Sequence, residues 1–287
     1  VGGIQFIAGI GVALFLMCSG YGLEISYEKN GLIGFWKKRL LGVCFPFWVV
    51  ELVGLLATGA FSIKTYLLDF CFSKPATAYG WFMGYIVTCY LLFYAVKKLV
   101  KDSRMQMLAL FGVFAIWFVL ESAFFANPDM PFLRARQMLS FPVGVLLAAN
   151  KNQIEQTLTK TKNILILMGG GTVCILFMAI TQLNVVKNLP YLVSNAMALL
   201  TCLPMAIGIM AFGKSFSELF ENKMLAVAGM ISYEIYLVHA FTLGMIKPSV
   251  VSVIAFVVVT VTLAYVTYFT IGKMKNGKFN NYYPHKE

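Results

Sequence analysis

Few side chains in this sequence can do chemistry, and most of them stand inside apolar runs. The stretch Ile231-Ser232-Tyr233-Glu234-Ile235-Tyr236-Leu237-Val238-His239 holds the densest group. On a helix Ser232, Tyr236 and His239 recur at i, i+4 and i+7 and share one face. Hydrogen-bonding groups in lipid must turn toward protein. Two readings follow: an interhelical lock with His239 neutral, or the wall of a substrate tunnel with His239 carrying or orienting a proton. Glu51, Glu121 and Glu234 are the other ionisable groups expected within membrane spans. His285, the second of two histidines, lies in a polar tail where no role is expected.

A second polar concentration is residues 13–48, ALFLMCSGYGLEISYEKNGLIGFWKKRLLGVCFPFW. The first apolar run is expected to end at Ser19-Gly20-Tyr21, with a short polar loop carrying Glu24, Glu28 and Lys29 behind it. Lys37, Lys38 and Arg39 then stand directly before a second run containing Pro46 and Trp48. The small-hydroxyl-aromatic triplet and the triple cation either form a polar site at one membrane edge or are a helix end and an orientation signal. Trp81-Phe82 opens a later run, where an interfacial anchor is the default role of a tryptophan. Arg134 and Arg136 break the charge pattern and fit an anionic or sugar-containing acceptor, or lipid headgroups. There is no Gly-x-Ser-x-Gly elbow, P-loop or His-Glu-x-x-His. The six cysteines are scattered, without Cys-x-x-Cys or a histidine at zinc-ligand spacing, so neither a metal site nor a disulfide framework is expected.

The elements that must position these groups are membrane helices. The chain is 60% hydrophobic and 12% charged, with mean hydropathy +0.79, against about 25% charge in soluble domains. The expectation is an all-α polytopic membrane protein with about nine spans, near 3–22, 40–60, 79–98, 105–125, 137–150, 163–183, 190–212, 228–247 and 249–271. The fifth is short and contains Pro142 and Gly144. Gly169-Gly170-Gly171 lies inside the sixth and reads as a close-packing or flexible point rather than a phosphate cradle. Net charge is +11, but no continuous basic face or nucleic-acid motif accompanies it, so no nucleic-acid partner is expected. Seventeen of the 23 Lys and Arg residues fall in alternate loops and the carboxyl tail, six in the others. That split places the tail and the loops near 24–38, 97–104 and 213–227 in the cytoplasm, and those near 61–78 and 126–136 outside. The chain would start outside without a signal sequence, which one more upstream helix would resolve; it reads as beginning within a longer protein.

Together these positions resemble acyltransferase family 3, membrane proteins that include bacterial O-acetyltransferases of surface polysaccharides. Leu14 to Tyr21 is similar to the family's Phe-Phe-x-x-Ser-Gly-Tyr/Phe segment, and Phe35-Trp36-Lys37-Lys38-Arg39 with Pro46 to its basic run and downstream proline. Gly80-Trp81-Phe82 with Tyr90 resembles its tryptophan-headed helix. Ser140-Phe141-Pro142-Val143-Gly144-Val145-Leu146-Leu147 is similar to its short Phe-x-x-Gly-x-x-Leu span, and Tyr233 to His239 to its Tyr-x-Ile-Tyr-Leu-x-His stretch. The resemblance covers nearly the whole chain as a single domain, residues 1–287. It implies transfer of an acyl group, acetyl above all, from acyl-CoA to a hydroxyl of a cell-envelope sugar or polysaccharide, in the bacterial cytoplasmic membrane. It further implies no bound cofactor, with acyl-CoA as the donor substrate. Ser19, Tyr21, Lys37, Lys38 and Arg39 would serve the donor, Trp81, Arg134 and Arg136 the acceptor, and His239, with Glu234 and Tyr236, the chemistry. The family's first helix, with its arginine and catalytic histidine, has no counterpart here. The chain is therefore expected to be amino-terminally truncated and inactive as it stands. The alternatives are a transporter or flippase of envelope precursors, with Glu51, Glu234 and His239 as proton or substrate sites, and an inactive accessory protein.

Overall fold

The computed structural model describes residues 2–124, 134–247 and 249–276, and among these there are helices and no strands. In chain order they are α1 (Gly2–Asn30), α2 (Phe35–Arg39), α3 (Phe45–Ala57), α4 (Ile63–Phe70), α5 (Trp81–Leu99), α6 (Ser103–Phe124), α7 (Ser140–Ala149), α8 (Lys151–Thr157), α9 (Lys160–Gln182), α10 (Asn184–Lys187), α11 (Tyr191–Leu199), α12 (Leu203–Ser215), α13 (Ser217–Phe220), α14 (Lys223–Met230), α15 (Ser232–Thr242) and α16 (Val250–Asn276). Short 3-10 turns occupy Ala135–Gln137 and Leu243–Met245. Local chemistry explains several boundaries. Helix α1 stops where Gly31 takes φ +57° and donates its N–H to the Tyr27 carbonyl, a glycine end in the left-handed region. A π turn, Leu40–Cys44, joins α2 to α3 just ahead of Pro46, which has no N–H to offer the preceding turn. Pro142 falls in the first turn of α7, where a missing N–H costs nothing.

This is an all-α polytopic membrane protein. Among the described residues seven helical runs are long and apolar enough to cross a bilayer: Ala8–Asn30, Phe35–Ala57, Trp81–Leu99, Ser103–Phe124, Lys160–Gln182, Tyr191–Ser215 and Val250–Lys273. An eighth is broken, Lys223–Met230 meeting Ser232–Met245 at 64°. At that break the Ser232 hydroxyl bonds back to the Gly229 carbonyl at 2.8 Å, competition with the backbone that bends helices. The remaining expected span, near 137–150, is the apolar stretch Ala135–Ala149, too short to cross. At 1.5 Å per residue it reaches about 22 Å, against roughly 30 Å of hydrocarbon. The nine expected spans thus become seven crossings, one bent crossing and a short buried helix. His285, Lys278 and Lys286, and residues 125–133 of the expected outer loop, lie outside the described residues.

The chain packs as two compact units, Val1–Ile33 with Thr88–Phe220, and Gly34–Val87 with Glu221–Glu287. In the first, α1 lies against α7 at two glycines. A Cβ on Gly20 would stand 2.3 Å from the Phe141 carbonyl oxygen, and one on Gly144 would stand 2.1 Å from that of Met17. The same device joins α9 to α12: a Cβ on Gly170 would lie 2.3 Å from the Pro204 oxygen, as the glycine triplet predicted. Phe141, fully buried, is ringed by Tyr90, Phe93 and Phe114 at centroid distances of 5.8 to 6.4 Å. In the second unit α15 packs on α16, where Thr242 and Thr260 share a hydrogen bond of 2.7 Å, and on α3, while Tyr233 donates to the Val43 carbonyl of the preceding π turn at 2.7 Å. Much of α16 presents valines outward, among them Val250, Val251 and Val258, as a lipid-facing helix does.

Candidate functional site

The first unit holds two polar groups. One runs along the second half of α1. Ser19-Gly20-Tyr21 is not a helix end: α1 continues through Glu24, Glu28 and Lys29 to Asn30, and no polar loop follows the triplet. The hydroxyl partner of Ser19, Tyr90, is the tenth residue of the 19-residue span Trp81–Leu99, so Ser19 lies at mid-span rather than at a membrane edge. The helix persists because its polar residues are met from other helices. The Ser19 hydroxyl shares a hydrogen bond of 3.1 Å with the Tyr90 hydroxyl of α5. Lys97 Nζ donates to Glu24 Oε1 at 2.7 Å and to Gln106 Oε1 at 3.0 Å, and lies 4.5 Å from the Tyr27 ring centroid. Lys151 pairs with Glu28 at 2.5 Å. Lys97 is thus a buried partner, not the loop cation its sequence position implied. Tyr21 is half-buried between these groups along the helix.

The other polar group of this unit gathers at Gly9, near the opposite end of α1. Gln137 Nε2 donates to the Gly9 carbonyl at 2.9 Å. A Cβ on Gly9 would meet Arg136 Cζ at 3.1 Å and Cys202 Sγ at 3.0 Å, so the guanidinium rests on the bare face of the glycine. Arg134 behaves differently: its Nη1 pairs with Glu121 Oε1 at 3.2 Å, and its side chain is 42% exposed. The two arginines, alike in sequence, therefore separate into a paired one and one without a carboxylate partner among the described residues.

The second unit holds the histidine. His239 Nδ1 is bonded to the Tyr236 carbonyl. A carbonyl only accepts, so Nδ1 carries the hydrogen and Nε2 keeps a free lone pair. The ring lies 4.6 Å, centroid to centroid, from Tyr79. Tyr236 donates its hydroxyl to the Tyr79 carbonyl at 2.7 Å and packs edge-on to Phe82 at 5.0 Å. His239 is therefore half-buried among polar and aromatic groups, as its helical face predicted. Ser232 does not join it, because its hydroxyl is turned back to Gly229. Glu234 is buried on the same helix. Glu51 is 4% exposed, accepts weakly from the Thr77 hydroxyl at 3.4 Å, and lies within electrostatic reach of Asp69 and Tyr236. Asp69, 2% exposed at the end of α4, accepts the Ala76 N–H at 3.2 Å. Burial pushes its carboxyl up to about 6, with the Ala76 hydrogen bond pulling the other way. Lys37 and Lys38 are exposed on α2, and the Arg39 guanidinium lies 5.8 Å from the Phe35 ring centroid. Trp81 heads α5 with its ring edge-on to Phe82 and Tyr85. No cluster of three or more metal-ligating side chains occurs among the described residues.

A family model described as an acyltransferase domain, that of acyltransferase family 3, matches residues 1–271. The chain belongs to this family. No curated protein and no solved structure matches it. The acyltransferase segments singled out in the sequence prove to be packing partners: the Ser-Gly-Tyr segment and the Phe-Pro-Val-Gly segment touch through Gly20 and Gly144, and Tyr90 joins Ser19. Of the expected site residues, Ser19, Tyr21, Arg134 and Arg136 belong to the first unit, and Lys37, Lys38, Arg39, Trp81, Glu234, Tyr236 and His239 to the second. Sequence reading missed Asp69, Thr77, Tyr79, Gln106 and Gln137. Of these, Gln106 had a signal: it stands early in the apolar run of α6, where an amide needs a partner.

Proposed function

We propose that this membrane acyltransferase moves an acyl group, acetyl in the simplest case, from acyl-CoA to a hydroxyl of a cell-envelope sugar in the bacterial cytoplasmic membrane. Family membership supports acyl transfer in general, and this reading replaces the expectation of an inactive chain by giving His239 the base role. The observation that carries the assignment within this chain is the bond of His239 Nδ1 to the Tyr236 carbonyl, which in the neutral ring leaves Nε2 as the basic nitrogen. In this reading Nε2 takes the proton of the acceptor hydroxyl as its oxygen attacks the thioester carbonyl. The carbon–sulfur bond breaks, and the CoA thiolate takes up the proton. Tyr236, its hydroxyl committed to Tyr79, is a positioning residue, and buried Glu234 supports the same helix. Lys37, Lys38 and Arg39 are assigned to the phosphates of the donor, on the cytoplasmic side. Ser19 and Tyr21, at mid-span, are assigned to the thioester end instead. Trp81 and Arg136 are assigned to the acceptor; Arg134, already neutralised by Glu121, contributes less.

The test is acetyl-CoA-dependent thiol release by the purified protein in nanodiscs, with and without envelope glycans. A His239→Gln variant that folds normally should lose about 10²–10⁴-fold in rate, the worth of a positioned general base. Unchanged turnover in His239→Gln would remove His239 from the base role. Absence of glycan-stimulated release in the unaltered protein would refute transfer to a sugar by this chain.

A further inference from the structure

We propose that Arg136, laid against Gly9, forms a subsite for an oxyanion, a phosphate or a carboxylate. A guanidinium keeps its charge at any working pH and presents five donors. Within a membrane bundle such a group is ordinarily paired, because an isolated charge there is costly. Arg134 follows that rule through Glu121. Arg136 does not: it has no carboxylate partner among the described residues, and its Nε–H is buried with no acceptor. Its side chain is only partly exposed, and its guanidinium carbon stands where a side chain on the buried Gly9 would be, beside Cys202.

A second orphan faces the same glycine. Gln137, 1% exposed, spends its amide N–H on the Gly9 carbonyl and leaves Oε1 buried without a donor. A guanidinium whose buried Nε–H lacks an acceptor and an amide oxygen lacking a donor thus converge on one residue of α1. A ligand with anionic oxygens and an O–H, such as a hydrogen phosphate or a hydroxy acid, satisfies both. Gly9 lies ten residues, about 15 Å, along α1 from Ser19, toward the end of α6 where Arg134 meets Glu121, which places the subsite near a membrane boundary, where charged ligands have access. The proposal deepens the acceptor-side assignment of Arg136 and rests on it for the ligand's role; binding of the anion itself is measured without any acyl transfer.

The probe is inorganic phosphate, titrated into the full chain in neutral detergent against sodium chloride of equal ionic strength, with affinity read from calorimetry and thermal unfolding. The unaltered protein should show saturable stabilisation. Arg136→Gln should weaken phosphate binding by at least about tenfold, the scale of one charge-assisted hydrogen bond. Gly9→Ala, which crowds the guanidinium without altering charge, should weaken it as well. Arg134→Gln should keep it. Equal responses in Arg136→Gln and Arg134→Gln would overturn the proposal. So would a phosphate response that appears only in Asp129→Asn, which would mean that Asp129, outside the described residues, neutralises Arg136. Nanodiscs separate the two sources of the anion. Phosphate binding suppressed by phosphatidylglycerol but not by phosphatidylcholine identifies a lipid phosphodiester as occupant, and binding retained in both identifies a soluble oxyanion.

Discussion

Replacing Lys97 by methionine is the sharpest perturbation of the first unit. Its ammonium bonds to Glu24 at 2.7 Å and to Gln106 at 3.0 Å, and lies 4.5 and 5.5 Å from the ring centroids of Tyr27 and Phe93. The side chains of Lys97 and Glu24 are only 5% and 7% exposed. Lys97→Met would leave the Glu24 carboxylate buried with no cation, which costs about 3–5 kcal/mol. Glu24→Leu would leave the ammonium with an amide and two rings, a loss of about the same size. The double variant removes both charges. Gln106 Nε2 keeps its bond to the Val100 carbonyl at 2.8 Å, and only its Oε1 is orphaned, at about 1–3 kcal/mol. The single losses sum to about 6–10 kcal/mol, so the pair should show a coupling of at least about 3 kcal/mol. The assay is reversible unfolding in mixed micelles of the four proteins of the cycle. Additive losses, or Lys97→Met within about 0.5 kcal/mol of the unaltered protein, the range of a surface change, would mean that the network does not hold α1 to α5 and α6.

Gly144→Ala should destabilise by about 1–3 kcal/mol or more, because its Cβ would stand 2.1 Å from a backbone oxygen of α1; thermal unfolding equal to or above that of the unaltered protein would contradict the crossing. Asp69 predicts a pH dependence. Its folded-state pKa of about 6 lies above the ordinary 3.8, so the native state binds the proton more tightly. The stabilisation is complete below the ordinary value and is lost as pH rises through about 6. Melting temperature should fall across that window and flatten in Asp69→Asn; a rise with pH would reverse the sign. Cysteines placed at 30 and 70 should label from opposite sides of the membrane, position 70 from outside, and equal labelling from outside would refute the assigned orientation. Arg39→Ala should weaken acyl-CoA binding and leave folding intact, whereas unchanged donor affinity would leave the cations of α2 with a topological role alone.

The apolar runs made the helices legible, because burial in lipid imposes a length and composition that local sequence records. What failed was the reading of polar residues as breaks. Glu24 and Glu28 looked like a loop after Ser19-Gly20-Tyr21, yet α1 runs through them, since Lys97 and Lys151 reach them from 73 and 123 residues away. No local pattern encodes a partner so distant. The glycine of that triplet was read as a stop and is a contact, fixed by where α7 crosses. Asp69 went unnoticed for the converse reason: a carboxylate in a segment expected to face water draws no attention until the fold encloses it.

The same logic decides between Arg134 and Arg136. Both precede a short helix, both break the positive-inside pattern, and composition gives them one role. Only the fold shows that Glu121 neutralises the first and that Gly9 receives the second. A charge in a membrane protein is informative through what opposes it. Where a carboxylate opposes it, as at Arg134 and Lys97, the charge holds helices together. Where bare glycine backbone and an undonated amide oxygen stand instead, no opposing charge holds the helices, and the place is open to the proposed anion.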